Sequence, residues 1–412
     1  MKKKVLVLLP YENMYPPMNG GNQRSFHLLH QIATYFEVTV IVHQEREAFL
    51  RSIGEFPALA HVKVYSTKDF PAQKDIFSLL PARIQTAIRY RWIQQSWAGT
   101  ADGNFLTYYP VLKKLLKEEK FDVVVLETMV SINAARLVRR LQKNAFIIFD
   151  THNVDSSLAR EEFNKGLIRK ENFESILDIE SNLYRKVDAV FACSEVDKKG
   201  FESINKGPLP VAVIPNGVKL NDVLMDAGVK MPAPDYIIFC GSLGYHPNIE
   251  GLLWFYRSIW PIIKQSLPAL KLIVLGSGKP TAEIEALQKD TDLWFTGRVP
   301  DVKEYYEKAA LSVVPLKSGS GTRLKILEAL NLGVPVISTT KGAEGIDYTA
   351  AEDLVIADTE TAFAQEVIQV IKSMEKRLSL QKKGRLLIEK KYDWDMIGKK
   401  IQSFIGDIPV KA

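Results

Sequence analysis

Residues 318–330 read Ser-Gly-Ser-Gly-Thr-Arg-Leu-Lys-Ile-Leu-Glu-Ala-Leu. Gly319, Ser320, Gly321 and Thr322 make a turn of small residues that runs into a helical pattern carrying Arg323, Lys325 and Glu328. The free N–H groups at a helix start point back at the preceding loop, and the macrodipole favours an anion there. Arg323 and Lys325 place two cations in the first turn, where the dipole disfavours them. An anionic ligand would offset that penalty. The plainer alternative is a surface pair between Lys325 and Glu328 at i,i+3, worth about 0.3 kcal/mol.

Three other stretches put chemistry-bearing residues directly behind apolar runs. After Val5–Leu9 comes Pro16-Pro17-Met18-Asn19-Gly20-Gly21-Asn22-Gln23-Arg24. Without Cβ atoms, Gly20 and Gly21 would let backbone approach a ligand closely, or would simply form a turn. After Phe146–Phe149 comes Asp150-Thr151-His152-Asn153-Val154-Asp155. His152 is the candidate reactive side chain, Asp150 could orient its imidazole, and Asp155 or Ser156 could cap the next helix. After Ile237–Cys240 come Gly241 and Ser242, then Tyr-His-Pro-Asn and a helical pattern over Glu250–Gln265 in which Trp254, Phe255 and Trp260 read as filler.

Other chemistries lose support. There is no Gly-x-x-x-x-Gly-Lys-Ser/Thr loop, and no Gly-x-Gly-x-x-Gly after the first strand or at Gly241, which argues against kinase and nicotinamide readings. Gly276-Ser277-Gly278 is too short to restore either. Asp393-Trp394-Asp395 suits helix capping, and no histidine–carboxylate cluster has ligand spacing, so no metal site is expected.

The elements that must position these residues are short β-branched runs between amphipathic segments. In the first half they are Val5–Leu9, Val38–His43, Val62–Tyr65, Val123–Glu127, Phe146–Phe149 and Val190–Ala192. In the second they are Ile237–Cys240, Leu272–Leu275, Trp294–Thr296, Ser312–Pro315, Val334–Ser338 and Leu354–Ile356. Continuous apolar strands alternating with helices predict parallel sheets covered on both faces, and the pattern occurs twice. Proline and glycine punctuation marks a seam near 206–235. Leu324, Leu327 and Leu330 mark a buried helix face. Glu366–Lys391 reads as one long helical pattern, and Met396–Ile405 as a last amphipathic stretch.

At 412 residues the chain exceeds one core and predicts two domains. A net charge of +6 is mild at this length and fits anionic ligands or a membrane surface better than nucleic acid. Cys193 and Cys240 each end an apolar run and read as buried thiols in a reducing compartment. The N-terminal apolar run stops at Pro10, shorter than a signal-peptide core, and no run is long enough to span a bilayer. A cytoplasmic location is expected, with peripheral membrane contact possible through residues 74–99, where basic and aromatic residues interleave with Leu and Ile. Ordinary packed amphipathic helices account for 74–99 equally well.

Taken together, these stretches resemble the retaining GT-B glycosyltransferases, family 4 in particular, over nearly the whole chain. The strand-one Gly-Gly, strand-end His152, Val-Ile-Pro-Asn-Gly-Val at 213–218 and Gly241-Ser242 occur in the family's order. The most specific match is Gly-Ser-Gly-Thr-Arg-Leu-Lys-Ile-Leu-Glu-Ala-Leu-Asn-Leu-Gly-Val-Pro-Val-Ile-Ser. Tyr-Asp-Trp near the end resembles the family's closing helix.

The resemblance implies an α/β GT-B fold, two doubly wound Rossmann-like domains facing across a cleft. Residues 1–206 would form the acceptor-side domain, with helix 393–412 packing back on it, and 207–392 the donor-binding domain. It implies a UDP- or GDP-linked sugar as donor, a glycan, lipid-linked or small acceptor, no cofactor, and metal-independent transfer with retention in surface polysaccharide assembly. His152 would face the donor sugar and acceptor, Arg323 and Lys325 would neutralise the leaving diphosphate, and Glu328 would bind the ribose hydroxyls as the second acid of a Glu-x7-Glu motif. Gly20, Gly21, Gly241, Ser242, Gly319, Gly321 and Thr322 would line the donor, with Val299 in the loop that reads the base. The first acid of the motif is replaced by Ser320, which leaves the sugar contact open. Rival readings are a GT-B-type nucleotide-sugar 2-epimerase and a non-catalytic nucleotide- or glycan-binding relative.

Overall fold

The computed structural model describes residues 2–10, 15–17, 19–69, 101–220, 235–319 and 321–409. Ser320 and the stretch 74–99 lie outside the described residues. The chain divides into two compact units, Met1–Pro215 with Ile397–Ala412, and Asn216–Met396.

The first unit is built on β1 (Lys4–Leu8), β2 (Glu37–Val42), β3 (Lys63–Ser66), β4 (Val123–Glu127), β5 (Phe146–Asp150), β6 (Ala189–Ala192) and β7 (Val211–Val213). They form one parallel sheet in the order β3-β2-β1-β4-β5-β6-β7. Val5 to Leu8 and Val123 to Leu126 are wholly buried, as strands covered by helices on both faces must be. The second unit carries β8 (Tyr236–Cys240), β9 (Lys271–Leu275), β10 (Leu293–Gly297), β11 (Leu311–Val314), β12 (Val336–Ser338) and β13 (Val355–Ile356). Its sheet is also parallel, in the order β10-β9-β8-β11-β12-β13. Both units are therefore doubly wound and Rossmann-like. In each, the strand order reverses beside the first strand: between β1 and β4, and between β8 and β11. Loops leaving the carboxyl ends there diverge and open a place for a ligand.

Every strand expected from sequence forms. β7 is the addition. Its three residues lie between Pro210 and Pro215 and read as linker, yet an edge strand tolerates flanking prolines because one side makes no ladder bonds. Two helical expectations need correction. Glu366–Lys391 is not one helix: Glu360–Lys372 ends at Ser373, whose hydroxyl accepts from Lys376 N at 3.1 Å and starts Met374–Leu387. Such a cap satisfies an orphan N–H and resets the helix direction. Glu250–Gln265 is likewise interrupted, with His246–Trp254 passing through a wide π turn, Phe255–Ile259, into Trp260–Ser266. Pro261 supplies the reason, since its ring crowds the carbonyl four residues back and it donates no hydrogen bond.

The last helix, Trp394–Asp407, buries Ile397, Ile401 and Ile405. Gly398 sits against the first helix so closely that a Cβ would stand 2.0 Å from Gln31 Oε1. Phe404 meets Phe191 edge-on at 5.1 Å, and Lys3 Nζ donates to the carbonyls of Ile405 and Gly406 at 2.7 and 2.6 Å. These contacts tie the chain's end to the first sheet; each buried aromatic contributes about 1.5–3 kcal/mol. Among the described residues, no helix is long and apolar enough to cross a membrane.

Candidate functional site

At the first unit's switch point, the helix Gly20–Tyr35 begins with Gly20 and Gly21, capped by Asn19, whose side chain accepts from Asn22 N at 2.9 Å. One turn in, the side chain of Arg24 is buried, 1% exposed. Its guanidinium grips Asp150 with two hydrogen bonds, Nε to Oδ2 at 3.0 Å and Nη2 to Oδ1 at 2.5 Å, while Nη1 donates to the Ile214 carbonyl at 2.9 Å. A bidentate, hydrogen-bonded geometry is what lets a buried ion pair survive desolvation. Next to Arg24, Ser25 donates a short hydrogen bond to Glu127 at the end of β4.

Two buried carboxyls thus share one guanidinium. Burial and then Asp150 push the Glu127 carboxyl up to about 8, against the pull of Ser25 and Arg24. Burial also raises Asp150, and Arg24 opposes it through the bidentate ion-pair geometry. Burial, followed by the charge of Arg24, presses His152 down to about 3, which keeps the imidazole neutral. Its Nε2 lies 3.8 Å from Asp150 Oδ2. That exceeds hydrogen-bond reach, and a neutral ring makes no ion pair. Asp150 therefore anchors Arg24 rather than orienting His152 directly.

The cap after His152 also differs from expectation. Val154 is the N-cap of helix Asp155–Asn164 and makes no side-chain cap bond. The carboxylate of Glu180, from helix Lys170–Ser181, instead accepts from the N–H groups of Asp155 and Ser156 at 2.8 and 2.9 Å. Donor atoms of Glu127, Asp150 and His152 come within 4.8 Å of one another. Linear spacing does not reveal this grouping, because it cannot show convergence of two strand ends. Arg24 occupies both oxygens of Asp150, so a divalent ion would have to displace a guanidinium. The residues fit a guanidinium-centred cluster.

The second unit's switch point is built differently. Behind β8, Gly241 N donates to Leu275 O at 2.9 Å and Leu243 N to Ser277 O at 2.8 Å, zipping two glycine-bearing loops together. Behind β11, Gly319 and Gly321 adopt φ of +98° and +82°, in the left-handed region that favours glycine. Arg323 is the N-cap of Leu324–Asn331, whose buried face is Ile326, Leu327, Ala329 and Leu330. Leu324, expected on that face, is only partly buried.

Lys325 reaches across to the other loop. Its Nζ donates to Asn248 Oδ1 at 2.7 Å, and Asn248 Nδ2 donates to Ser242 O at 2.9 Å. A Cβ on Gly241 would stand 2.8 Å from Lys325 Nζ and 2.7 Å from Asn248 Cγ, so a side chain there would displace the Lys325–Asn248 pair. Burial, helped by Arg323 and opposed by Cys240 and Glu328, lowers the Lys325 ammonium to about 8. Glu328 stands one turn further on, and its charge is felt by Cys240 and Tyr306, both raised chiefly by burial. Ser318 donates to Glu250 Oε2 at 2.5 Å, fixing the turn against helix His246–Trp254.

The structure thus brings together Gly241, Ser242 and Lys325, with Gly319, Gly321, Thr322 and Arg323 on the adjoining turn and Glu328 behind them. Val299, in the loop after β10, is partly buried against the core that includes Leu275, Tyr306 and Ile326. Sequence reasoning missed Arg24, Glu127, Asn248 and Glu180. Glu127 had a readable signal, a charged residue ending a wholly apolar strand. Glu180 had none.

Residues 18–222 match the family described as Glycosyltransferase Family 4, and residues 234–373 that described as Glycosyl transferases group 1. Together the matches take in well over half of the chain. The structure is similar to HepE of Anabaena, solved in complex with UDP and glucose, with a TM-score of 0.63, 14% identity, and coverage of 98% of this chain and 99% of that one. It is similar to TarM with a TM-score of 0.70 and 12% identity over 99% of both chains. The chain belongs to the glycosyltransferases of GT-B fold. A curated relative, an uncharacterized 44.6 kDa protein in the cps region of Klebsiella pneumoniae, is 27% identical over 165 residues, 38% of this chain and 42% of that protein. The chain thus covers less than half the length of that relative.

Proposed function

We propose that the protein transfers a sugar, with retention of configuration, from a nucleoside-diphosphate sugar to a glycan or lipid-linked acceptor in surface polysaccharide assembly. The observation that carries this reading is Lys325, a partly buried ammonium held at 2.7 Å by Asn248 where the strand order reverses, packed close against Gly241. Desolvated cations and helix N–H groups placed in advance are what a departing diphosphate needs, and they cost no reorganisation during transfer. HepE binds UDP and glucose, and the Klebsiella relative is encoded in a cps region; both agree with this donor class and role.

In this reading, residues 207–392 take the donor. Lys325, Arg323 and the N–H groups of Gly319, Gly321 and Thr322 hold the diphosphate, Gly241 and Ser242 let it approach β8, and Val299 flanks the base. Glu328 accepts hydrogen bonds from the ribose hydroxyls, which a carboxylate can do two at a time. Residues 1–206 take the acceptor, with neutral His152 as a hydrogen-bonding group at the reacting sugar. A calorimetric titration with UDP and GDP tests the donor assignment. Glu328→Ala should weaken whichever nucleotide binds while leaving the melting temperature within a few degrees; unchanged affinity would overturn it.

A further inference from the structure

We infer that Glu180 is a positioning residue for His152. The inference rests on the proposed role of His152 at the reacting sugar. The turn Asp150–Val154 that carries the imidazole is fixed at its start by β5 and the grip of Arg24 on Asp150. Its other end runs straight into a helix whose N-cap, Val154, offers no capping side chain. The first N–H groups of a helix need partners, and a carboxylate is the best of them because it also meets the positive end of the dipole. Glu180 supplies it from a separate helix, 0% exposed, with one oxygen on Asp155 N and the other on Ser156 N.

No residue of the turn itself can take over this task. Asp155 and Ser156 are the donors of the two bonds, and the Thr151 hydroxyl is turned onto the Asn153 carbonyl. Removing the carboxylate leaves two N–H groups unpaired next to the imidazole, and the helix start is free to shift. Displacements of about 1 Å at a reacting group cost up to about 100-fold in rate.

The test is a double-mutant cycle with the full chain and its nucleotide-sugar donor, read as donor hydrolysis or transfer well below the melting temperature. Glu180→Ala should lower kcat by about 10- to 100-fold with donor KM and nucleoside-diphosphate affinity unchanged. Glu180→Gln, which retains one acceptor oxygen, should fall between Ala and wild type. In a His152→Ala background, Glu180→Ala should add no further loss. An additive loss there, or a Glu180→Ala variant that melts earlier but keeps wild-type kcat, would overturn the inference. A His152→Ala variant with wild-type kcat would instead overturn the role of His152, so the two failures are distinguishable. Should Glu180→Ala fail to fold, the Gln variant carries the same cycle.

Discussion

The two switch points share a topology and differ in almost everything else. At the first switch point the chain buries the Arg24–Asp150 ion pair and the Ser25–Glu127 hydrogen bond side by side, with His152 partly buried next to them. Between β8 and β11 it sets Lys325 and Arg323 on a glycine-rich turn, with Glu328 a turn behind and Asn248 as the holding group. The first arrangement buries opposite charges against one another. The second sets two cations beside glycines held at positive φ, which is what the proposed diphosphate site requires. One fold, used twice, differs in the residues behind its strand ends.

The sharpest way to break the contrast is to remove Arg24. Arg24→Met leaves the Asp150 charge buried without its partner and should cost about 3–5 kcal/mol in urea unfolding. Arg24→Met with Asp150→Leu should recover much of that loss. A single mutant as stable as wild type would mean the cluster is not an ion pair at all.

Lys325→Met should lower kcat/KM by roughly 100- to 1,000-fold, the range for losing one charge-stabilising group at a reacting oxyanion. Steady-state kinetics with the working donor would show it. An equal loss from Lys317→Met would argue for a diffuse field instead of a specific contact.

pH separates the two sites further. Lys325 titrates near 8 when the cradle is empty, so an incoming diphosphate must bring a proton with it at higher pH. Affinity should fall by about tenfold per pH unit above that point, and calorimetry in buffers of different ionisation heat should register proton uptake. Glu127 offers a second pH readout. Its folded pKa of about 8 lies above the ordinary 4.5, so the folded protein holds the proton more tightly. Its contribution to stability is complete below 4.5 and is lost as pH rises through about 8. Glu127→Gln, which cannot ionise, should flatten that slope and leave stability at pH 5 unchanged.

Strands and turns were legible because their signals are local. Apolar runs such as Val123–Leu126 announce parallel strands, and Gly319 and Gly321 announce a left-handed turn wherever it ends up in space. The cradle was legible for the same reason, since Arg323, Lys325 and Glu328 share one helix. The first cluster was not, because Arg24, Glu127 and Asp150 lie on three elements and meet only when the sheet is ordered β1-β4-β5. Ser373, which splits the long helix, was hidden by continuous helical composition on both sides. β7 was hidden by prolines that an edge strand accepts.

The central claim is that the turn and helix from Gly319 to Glu328 hold the diphosphate of a sugar donor. Isothermal titration of UDP and GDP into the wild-type protein and into Lys325→Met at pH 7 tests it most directly. At least one nucleotide should bind the wild type with an affinity that the variant loses by tenfold or more. Binding of equal strength to both proteins, or of neither nucleotide to the wild type, would contradict it.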